Sequence, residues 1–375
     1  MKYNLGSPYF FNNDIKLILK EFKKILKGKG MLSMSKFVQV FEKNFSKYNK
    51  SKYVLATNSG SSALEIILKS LEIGKGDEVI IPTQTFIATA SSVMNVGAKP
   101  IFAEIDECFL LNFNKLDKMI NNRTKAVILV HYGGLISDQI MNIKKKLNKK
   151  NIYLIEDASH AHGASFNNIK AGNLSNAAAF SLYSTKIITS GEGGIITTNS
   201  KKIYNRCSSI RSRGQNINLN YEIFSNLGSN YRYTEVQALM AIMQLKRINN
   251  YINHRIKVAN TYNKILETAV KSNKIRLINF SDNIIHPYWK YTIFLLRKQS
   301  RKKIKLKMNQ LSIAISWAYD PLVHLQPVFK KYFKNKKGML KYSEKLSKTH
   351  IDLPIHYQIS IKDAEYIANS LLKFL

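Results

Sequence analysis

The N-terminal part of the chain places its apolar residues at helical spacing. Within residues 14–27, apolar side chains recur three and four positions apart, and lysines occupy the opposite face. Residues at this spacing share one side of an α-helix, which predicts an amphipathic helix packed on the body of the protein. A helix lying on a membrane surface is the alternative interpretation. The repeat of Phe37, Phe41 and Phe45 predicts a second helix.

From residue 53 onwards, short apolar runs alternate with segments of helical pattern. The sequence predicts helices at 61–71 and 86–95, and strands at 53–56, 78–81, 100–105, 126–130, 152–155, 178–182 and 194–198. Repeated strand–helix units predict a mostly parallel sheet with helices on both faces. Functional sites in such sheets lie beyond the carboxyl ends of the strands, where His131, Asp157 and the turn at 58–62 fall.

The alternation weakens after about residue 245. Helical patterns follow at 236–249 and 255–268, then a strand at 291–296 and a last helix at 364–375. We therefore predict an α/β fold with two domains. A large three-layer α/β/α domain would cover residues 1–245, and a smaller α+β domain would cover residues 246–375. A chain of 375 residues is long enough for both.

The composition indicates a packed globular protein, because 45% of the residues are hydrophobic and 11% are aromatic. Cys108 and Cys207 are too few for a disulfide framework or a cysteine-based zinc site, so a reducing cytoplasm is the simplest location. No apolar stretch reaches the roughly 18 residues that a membrane helix needs. The first residues also lack an apolar signal core. We therefore expect a cytoplasmic protein without a membrane partner.

The formal net charge of +34 raises the alternative of a nucleic-acid-binding protein. The basic residues are scattered, with only short runs such as 144–146 and 301–303, and no basic motif is interleaved with aromatic residues. We therefore expect no nucleic-acid partner. The excess of positive charge would still attract a phosphorylated small molecule over long range.

The residues with the clearest chemistry lie between positions 152 and 194. An apolar strand ends in Asp157, and Ser181 and Lys186 follow further along the chain, before a glycine-rich turn at 191–194. This order is typical of pyridoxal phosphate enzymes, in which a lysine forms an imine with the cofactor and a carboxylate pairs with the pyridine nitrogen. A helix N-cap is the alternative role for Asp157.

Two further segments fit the same cofactor. The turn at 58–62 joins a strand to a helix, and the backbone N–H groups of Gly60 and Ser61 at a helix start would bind phosphate; a plain helix cap is the alternative. Phe86 lies at another strand end, where its ring would stack on a flat cofactor ring. The alternative is that Phe86 belongs to the hydrophobic core. His160 and His162 have no partners at metal-ligand spacing, so we predict no metal site.

The chain resembles the sugar aminotransferases of the DegT/DnrJ/EryC1/StrS family, which are fold-type I pyridoxal phosphate enzymes. The resemblance extends along nearly the whole chain. It rests on the stretches already described and on seven short segments, at 74–80, 97–100, 156–164, 230–232, 237–238, 324–327 and 353–356. Each segment is weakly specific, but together and in this order they are strong.

The resemblance implies roles for individual residues. The residues that would contact the cofactor are Gly60, Ser61, Phe86, Asp157, His160, Ser181, Lys186 and Asn230. Lys186 and Asp157 would be the catalytic pair. Asn230 would reach the cofactor phosphate from a neighbouring subunit, which makes a homodimer the expected active unit. The residues expected near the substrate are His324, Tyr183 and Trp289.

The resemblance also implies the reaction. An amino acid, with L-glutamate as the expected donor, would pass its amino group to a keto sugar linked to a nucleotide, in amino-sugar, polysaccharide or secondary-metabolite biosynthesis. One alternative is a sugar dehydratase on the same scaffold, but such relatives carry histidine where this chain has Lys186. A second alternative is an enzyme that makes an aminated cyclitol or aromatic product.

Overall fold

The structure is a computed structural model that describes residues 1–216, 223–296, 300–334 and 336–375. Its helices are α1 Asn12–Leu26, α2 Lys36–Asn49, α3 Gly60–Ser70, α4 Ile87–Asn95, α5 Ile140–Asn148, α6 Lys201–Arg211, α7 Glu235–Lys246, α8 Ile248–Lys271, α9 Arg301–Gln310, α10 Pro327–Tyr332, α11 Lys341–Leu346 and α12 Ile361–Leu372. Short 3-10 helices lie at Phe113–Met119, Tyr132–Gly134 and Val323–Leu325.

The strands are β1 Tyr53–Thr57, β2 Glu78–Pro82, β3 Lys99–Ala103, β4 Thr124–Val130, β5 Tyr153–Asp157, β6 Ser165–Phe166, β7 Ile169–Lys170, β8 Ala177–Ser181, β9 Gly194–Thr198, β10 Ile275–Leu277, β11 Ile284–Ile285, β12 Tyr291–Leu295 and β13 His350–Leu353. Seven of them form the central sheet in the order β1-β9-β8-β5-β4-β2-β3. The pairs between β8 and β3 are parallel, and β9 runs antiparallel to both β8 and β1. The prediction of a mostly parallel sheet is therefore confirmed.

Both faces of the central sheet are buried, and strand β2 shows why. Ile80 packs in the same cluster as Phe41 of α2, whereas Val79 and Ile81 pack in a second cluster with Leu64 of α3. Successive side chains of a strand point to opposite faces, so a strand that is apolar throughout needs helices on both sides. The predicted three-layer α/β/α arrangement is what these residues form.

The C-terminal part contains a smaller antiparallel sheet in the order β10-β12-β13. Ile293 of β12 packs with Tyr262 of α8 and Ile367 of α12 in a third buried cluster. The first turns of α8 instead contribute Ile248 and Ile252 to the core beneath the central sheet. The proposed division at residues 245 and 246 falls at the end of α7 and stays a prediction.

Two predictions about helices differ from the structure. The sequence placed a break between 249 and 255, but α7 ends at Lys246 and α8 runs without interruption from Ile248 to Lys271. The amphipathic face of α1 is only partly covered, because Ile25 is buried while Leu19 and Leu26 are more than half exposed. The helix is also held by a polar contact, an ion pair of 2.8 Å between Asp14 and Arg247.

A fully buried carboxylate ties the loop after β7 to the central sheet. Glu156 accepts hydrogen bonds from the backbone N–H groups of Gly172 (2.8 Å) and Leu174 (3.0 Å), and its Oε2 lies 2.9 Å from His131 Nε2. Burial by itself would raise the pKa of Glu156, but the contacts with His131 and Gly172 outweigh burial and hold this pKa below its usual value. The carboxylate is therefore charged in the folded protein at neutral pH.

We expect Glu156→Ala to destabilise the fold by about 3–5 kcal/mol, because the substitution leaves buried donors without a partner. Urea denaturation at pH 7 measures the free energy of unfolding. Glu107→Ala, which removes an exposed carboxylate, is the matched control, and it should change the free energy of unfolding by no more than about 0.5 kcal/mol. The pKa of Glu156 is lower in the folded protein than in the unfolded chain. Its contribution to the free energy of unfolding is therefore fully present above the pKa of the unfolded chain, and it is lost as the pH falls through the pKa of the folded protein. Equal stabilities of the two variants at pH 7 would contradict this role.

Candidate active site

A cavity of about 460 Å³ opens at the carboxyl edge of the parallel strands, within the usual range for small-molecule sites. Nine of the residues singled out in the sequence line it: Gly60, Ser61, Phe86, Asp157, His160, Ser181, Tyr183, Lys186 and Trp289. They come from the ends of several strands of the central sheet and from the segment before β12. The remaining two, Asn230 and His324, lie elsewhere.

The start of α3 forms one corner of the cavity. Ser59 caps this helix by accepting a hydrogen bond from the Ser62 N–H at 3.1 Å. Gly60 sits so close to the end of β8 that a Cβ added to it would lie 2.9 Å from Ser181 Cβ. The first N–H groups of a helix have no partners within the helix and carry the positive end of its dipole. This corner can therefore hold an anionic group such as a phosphate.

Asp157 closes the floor of the cavity at the end of β5, where only 6% of the residue is exposed. Its Oδ2 accepts a hydrogen bond of 2.7 Å from the Thr89 hydroxyl, and its Oδ1 accepts one of 3.2 Å from the Ser159 N–H. Both donors are neutral, so they orient the carboxylate without neutralising its charge. A buried carboxylate held in this way is a suitable partner for a cationic ring nitrogen.

Lys186 follows β8 in a tight loop that its own backbone closes, with a hydrogen bond of 2.9 Å from the Lys186 N–H to the Tyr183 carbonyl. Its Nζ lies 4.2 Å from the centroid of the Trp289 indole. Burial, the largest influence, lowers the pKa of Lys186 to about 7, although the charge of Asp157 acts in the opposite direction. A substantial fraction of this lysine is thus a neutral, nucleophilic amine at neutral pH.

Aromatic rings form the walls of the cavity. Phe86 is 55% exposed and presents its ring to the open space. His160 stacks on Trp289 with ring centroids 3.7 Å apart, and its Nε2 lies 3.2 Å from the Tyr319 hydroxyl. Burial lowers the pKa of His160 well below its usual value, so the imidazole is neutral. The Nδ1 atom of His160 is buried without a hydrogen-bond partner, which leaves it free to contact a bound group.

The structure does not bring His324 into the cavity. The ring is 1% exposed, with Nδ1 2.5 Å from the Thr83 hydroxyl and Nε2 3.4 Å from a carboxylate oxygen of Glu344. Because both nitrogens are engaged in the interior, this placement does not support the substrate contact expected for His324. Burial also lowers its pKa.

Asn230 is exposed and lies outside the cavity of its own chain. Its Oδ1 accepts a hydrogen bond of 2.9 Å from Arg232 Nε. This position leaves the side chain on the surface of the chain.

Sequence reasoning gave no role to several residues of the site, among them Thr89, Tyr319 and Glu192. Thr89 orients Asp157, and Tyr319 and Glu192 line the cavity. Glu192 belongs to the glycine-rich turn, so the neighbouring glycines could have indicated that it lies at the site. Thr89 lies inside a helix and Tyr319 follows an irregular segment, so no local pattern marks either of them.

Among the residues that the structure describes, no group of three or more histidine, cysteine, aspartate or glutamate side chains could hold a metal ion. Within the same residues, no helix has the length and apolar character needed to cross a membrane.

The mostly parallel sheet, with a lysine and a carboxylate facing one cavity at its carboxyl edge, defines a protein of the fold-type I aminotransferase class. The model of the DegT/DnrJ/EryC1/StrS aminotransferase family matches residues 12–372, and the chain belongs to this family. Family membership implies dependence on pyridoxal phosphate.

Individual relatives agree with this assignment. The chain is 33% identical to a GDP-perosamine synthase of Caulobacter vibrioides over 344 residues, which cover 90% of each protein. It is also similar to the solved structure of an aminotransferase from Psychrobacter cryohalolentis, with a TM-score of 0.91, 25% identity and 98% of each chain covered. A third similar structure is Helicobacter pylori PseC, an aminotransferase of pseudoaminic acid biosynthesis, with a TM-score of 0.89, 26% identity and coverage of 99% of this chain and 98% of that one.

Proposed function

We propose that this protein is a sugar aminotransferase that moves the amino group of an amino acid, with L-glutamate as the expected donor, to a keto sugar linked to a nucleotide. The main support for the proposal is that Lys186 and Asp157 line the same cavity, which the N-terminus of α3 also lines. A nucleophilic amine, a fixed carboxylate and an anion-binding corner are the three features that amino transfer with pyridoxal phosphate needs. Two of the relatives are named as a GDP-perosamine synthase and as an aminotransferase of pseudoaminic acid biosynthesis, which supports a product for polysaccharide or secondary-metabolite biosynthesis.

The residues present fit the cofactor. Gly60, Ser61 and Ser181 would hold its phosphate, since the close approach of α3 to β8 leaves room only for glycine at position 60. The exposed face of Phe86 would stack on the ring, and the unpaired Nδ1 of His160 would face a polar ring substituent. When bound, pyridoxal phosphate supplies an electron sink that makes the α-proton of an amino acid acidic.

Lys186 would act in two ways. As a neutral amine it would hold the cofactor covalently through Nζ. Once displaced by the donor, the same nitrogen would accept the proton from the donor α-carbon, and in the second half of the reaction it would deliver a proton to the sugar carbon that receives the amine. A lysine with a pKa of about 7 can both take up and release a proton at neutral pH.

Asp157 would keep the ring nitrogen protonated. Thr89 and Ser159 fix the direction of its two oxygens, so the carboxylate needs no rearrangement when charge develops. Trp289 and Tyr183 line the same cavity and remain our candidates for sugar contacts.

We further propose that the active unit is a homodimer in the cytoplasm. The exposed apolar side chains include Leu19 and Leu26 on α1, and Phe224 and Leu227 in the segment that precedes Asn230. Exposed apolar patches of this kind are typical of protein interfaces. We propose that a second copy covers them and that its Asn230 reaches the cavity of its neighbour.

The test is spectroscopic. Adding L-glutamate to the yellow, cofactor-loaded protein should shift its absorption to that of the aminated cofactor, and the correct nucleotide-linked keto sugar should reverse the shift. Keto sugars linked to GDP, UDP or dTDP form the panel, and D-glutamate is the control donor. A protein that deoxygenates a sugar without net gain of an amine would instead be a dehydratase, and a protein that shows no shift with any amino acid would refute amino transfer.

A further inference from the structure

A second lysine contacts the same indole as Lys186. The Nζ of Lys290 lies 5.0 Å from the Trp289 ring centroid, against 4.2 Å for the Nζ of Lys186. The two nitrogens are therefore closer together than one Debye length, which is about 10 Å at 0.1 M salt. The Lys290 side chain is only 15% exposed, so water screens its charge weakly.

A buried carboxylate holds Lys290 in place. Asp352 Oδ2 lies 3.1 Å from Lys290 Nζ, and the Asp352 side chain is 1% exposed. The carboxylate also accepts hydrogen bonds from the Thr292 hydroxyl (2.7 Å) and the Ala318 N–H (3.3 Å). Burial would raise the pKa of Asp352, but Lys290 and the other partners outweigh burial and keep this pKa below its usual value. The ammonium of Lys290 is thus fixed beside a charged carboxylate.

Charged and titratable groups approach Lys186 from several elements. Asp157 at the end of β5 favours its ammonium form, and Glu192 lines the same cavity. His160 and His162, in the loop after β5, contribute no charge, because burial lowers the pKa of both far below neutrality. Burial and, to a smaller extent, the charge of Lys290 favour the neutral amine. Lys290, which is itself paired with the buried Asp352, is therefore the nearby positive charge that acts against Asp157.

We propose that Lys290 is a positioning residue whose held positive charge adds to burial in favouring the neutral form of the Lys186 amine, the form that reacts with a carbonyl. The inference rests on the proposed attachment of the cofactor at Lys186. In that step the lone pair of Lys186 Nζ forms the new carbon–nitrogen bond, and the aldehyde oxygen leaves as water with the two amine protons. An ammonium group has no lone pair and cannot begin this condensation.

The test measures Lys186 itself. The full-length chain, freed of cofactor, is labelled with isotopically marked acetic anhydride between pH 5 and pH 10, and the peptide that contains Lys186 is quantified by mass spectrometry. Lys290→Met should raise the apparent pKa of Lys186 and therefore slow its labelling at pH 7, by about two- to fivefold. Lys290→Arg, which keeps the charge, should label like wild type. Lys271→Met removes an exposed lysine paired with Glu267 and should change nothing.

Asp352→Asn separates charge from packing. It removes the counter-charge of Lys290, so labelling of Lys186 at pH 7 should stay the same or become faster. Slower labelling of Lys186 in both Lys290→Met and Asp352→Asn would show that the pair only supports the cavity wall, and would overturn the proposal. Unchanged labelling of Lys186 in Lys290→Met would also overturn it. If Lys290→Met does not fold, slower labelling in Lys290→Arg or in Asp352→Asn overturns the proposal. Labelling needs neither donor nor sugar, so failure of the proposed function would be seen separately.

Discussion

The Lys186→Ala protein is expected to transfer the amino group at least about 10²-fold more slowly, because proton transfer by a positioned side chain alone contributes about 10² to 10⁴-fold. Covalent attachment of pyridoxal phosphate should also disappear, since no other lysine lines the described cavity. The measurement has two parts: the rate of glutamate-dependent amination, and borohydride reduction followed by peptide mapping. In the wild-type protein the reduced cofactor should be found on the peptide that contains Lys186.

Lys170→Ala is the matched control for this loss. Lys170 is another lysine whose pKa is lowered by burial, and its Nζ lies 3.3 Å from the centroid of the Tyr48 ring, away from the cavity. Its removal should leave the transfer rate and the reduced peptide close to those of wild type. A normal rate in purified Lys186→Ala protein, or cofactor trapped on a different lysine, would remove Lys186 from the mechanism.

The Asp157→Asn protein is expected to bind pyridoxal phosphate but to transfer the amino group about 10² to 10⁴-fold more slowly, the range in which preorganised charges act. Asparagine has the same shape and can still accept the hydrogen bond from Thr89, so the substitution removes the charge and little else. Without the negative charge the ring nitrogen is not held protonated, and the donor α-proton is less acidic. Single-turnover kinetics with L-glutamate measure this step directly.

Two companion variants sharpen the interpretation. Thr89→Val keeps the charge of Asp157 but removes the hydroxyl that orients it, so a smaller loss is expected. Asp138→Asn removes an exposed carboxylate and should behave like wild type. A Thr89→Val protein slower than Asp157→Asn would mean that the local packing, rather than the charge, limits the reaction.

The central sheet could be predicted from the sequence because its strands are short apolar runs bounded by turns. A strand that is buried on both faces requires that pattern. The lysine and the carboxylate could be predicted because each lies at or after the end of such a strand, and parallel strands bring their carboxyl ends to one edge of the sheet. Gly60 was accessible for a similar reason, at a junction between strand and helix. These are local features, readable within about ten residues of the chain.

Other parts of the site depend on packing between distant segments. Tyr319 reaches His160 only because the segment that follows α9 folds back over the sheet edge. His324 was expected at the substrate from the family resemblance, but the interior contacts with Thr83 and Glu344 hold its ring away from the cavity. The exposure of Leu19 likewise follows from which face of α1 meets the body of the protein.

Sequence alone therefore determined the fold class and the family, and it predicted Lys186 and Asp157 as the reacting pair, because hydrophobic periodicity and strand ends are local features. Tertiary structure alone decided which side chains surround that pair: Thr89 beneath the carboxylate, Tyr319 beside the imidazole, and Lys290 against the shared indole. The physical reason is that charge, hydrogen bonding and stacking act over a few ångströms of space. Residues far apart in the chain, such as Thr89 and Asp157 (68 positions) or His160 and Tyr319 (159 positions), become neighbours only when the chain has packed.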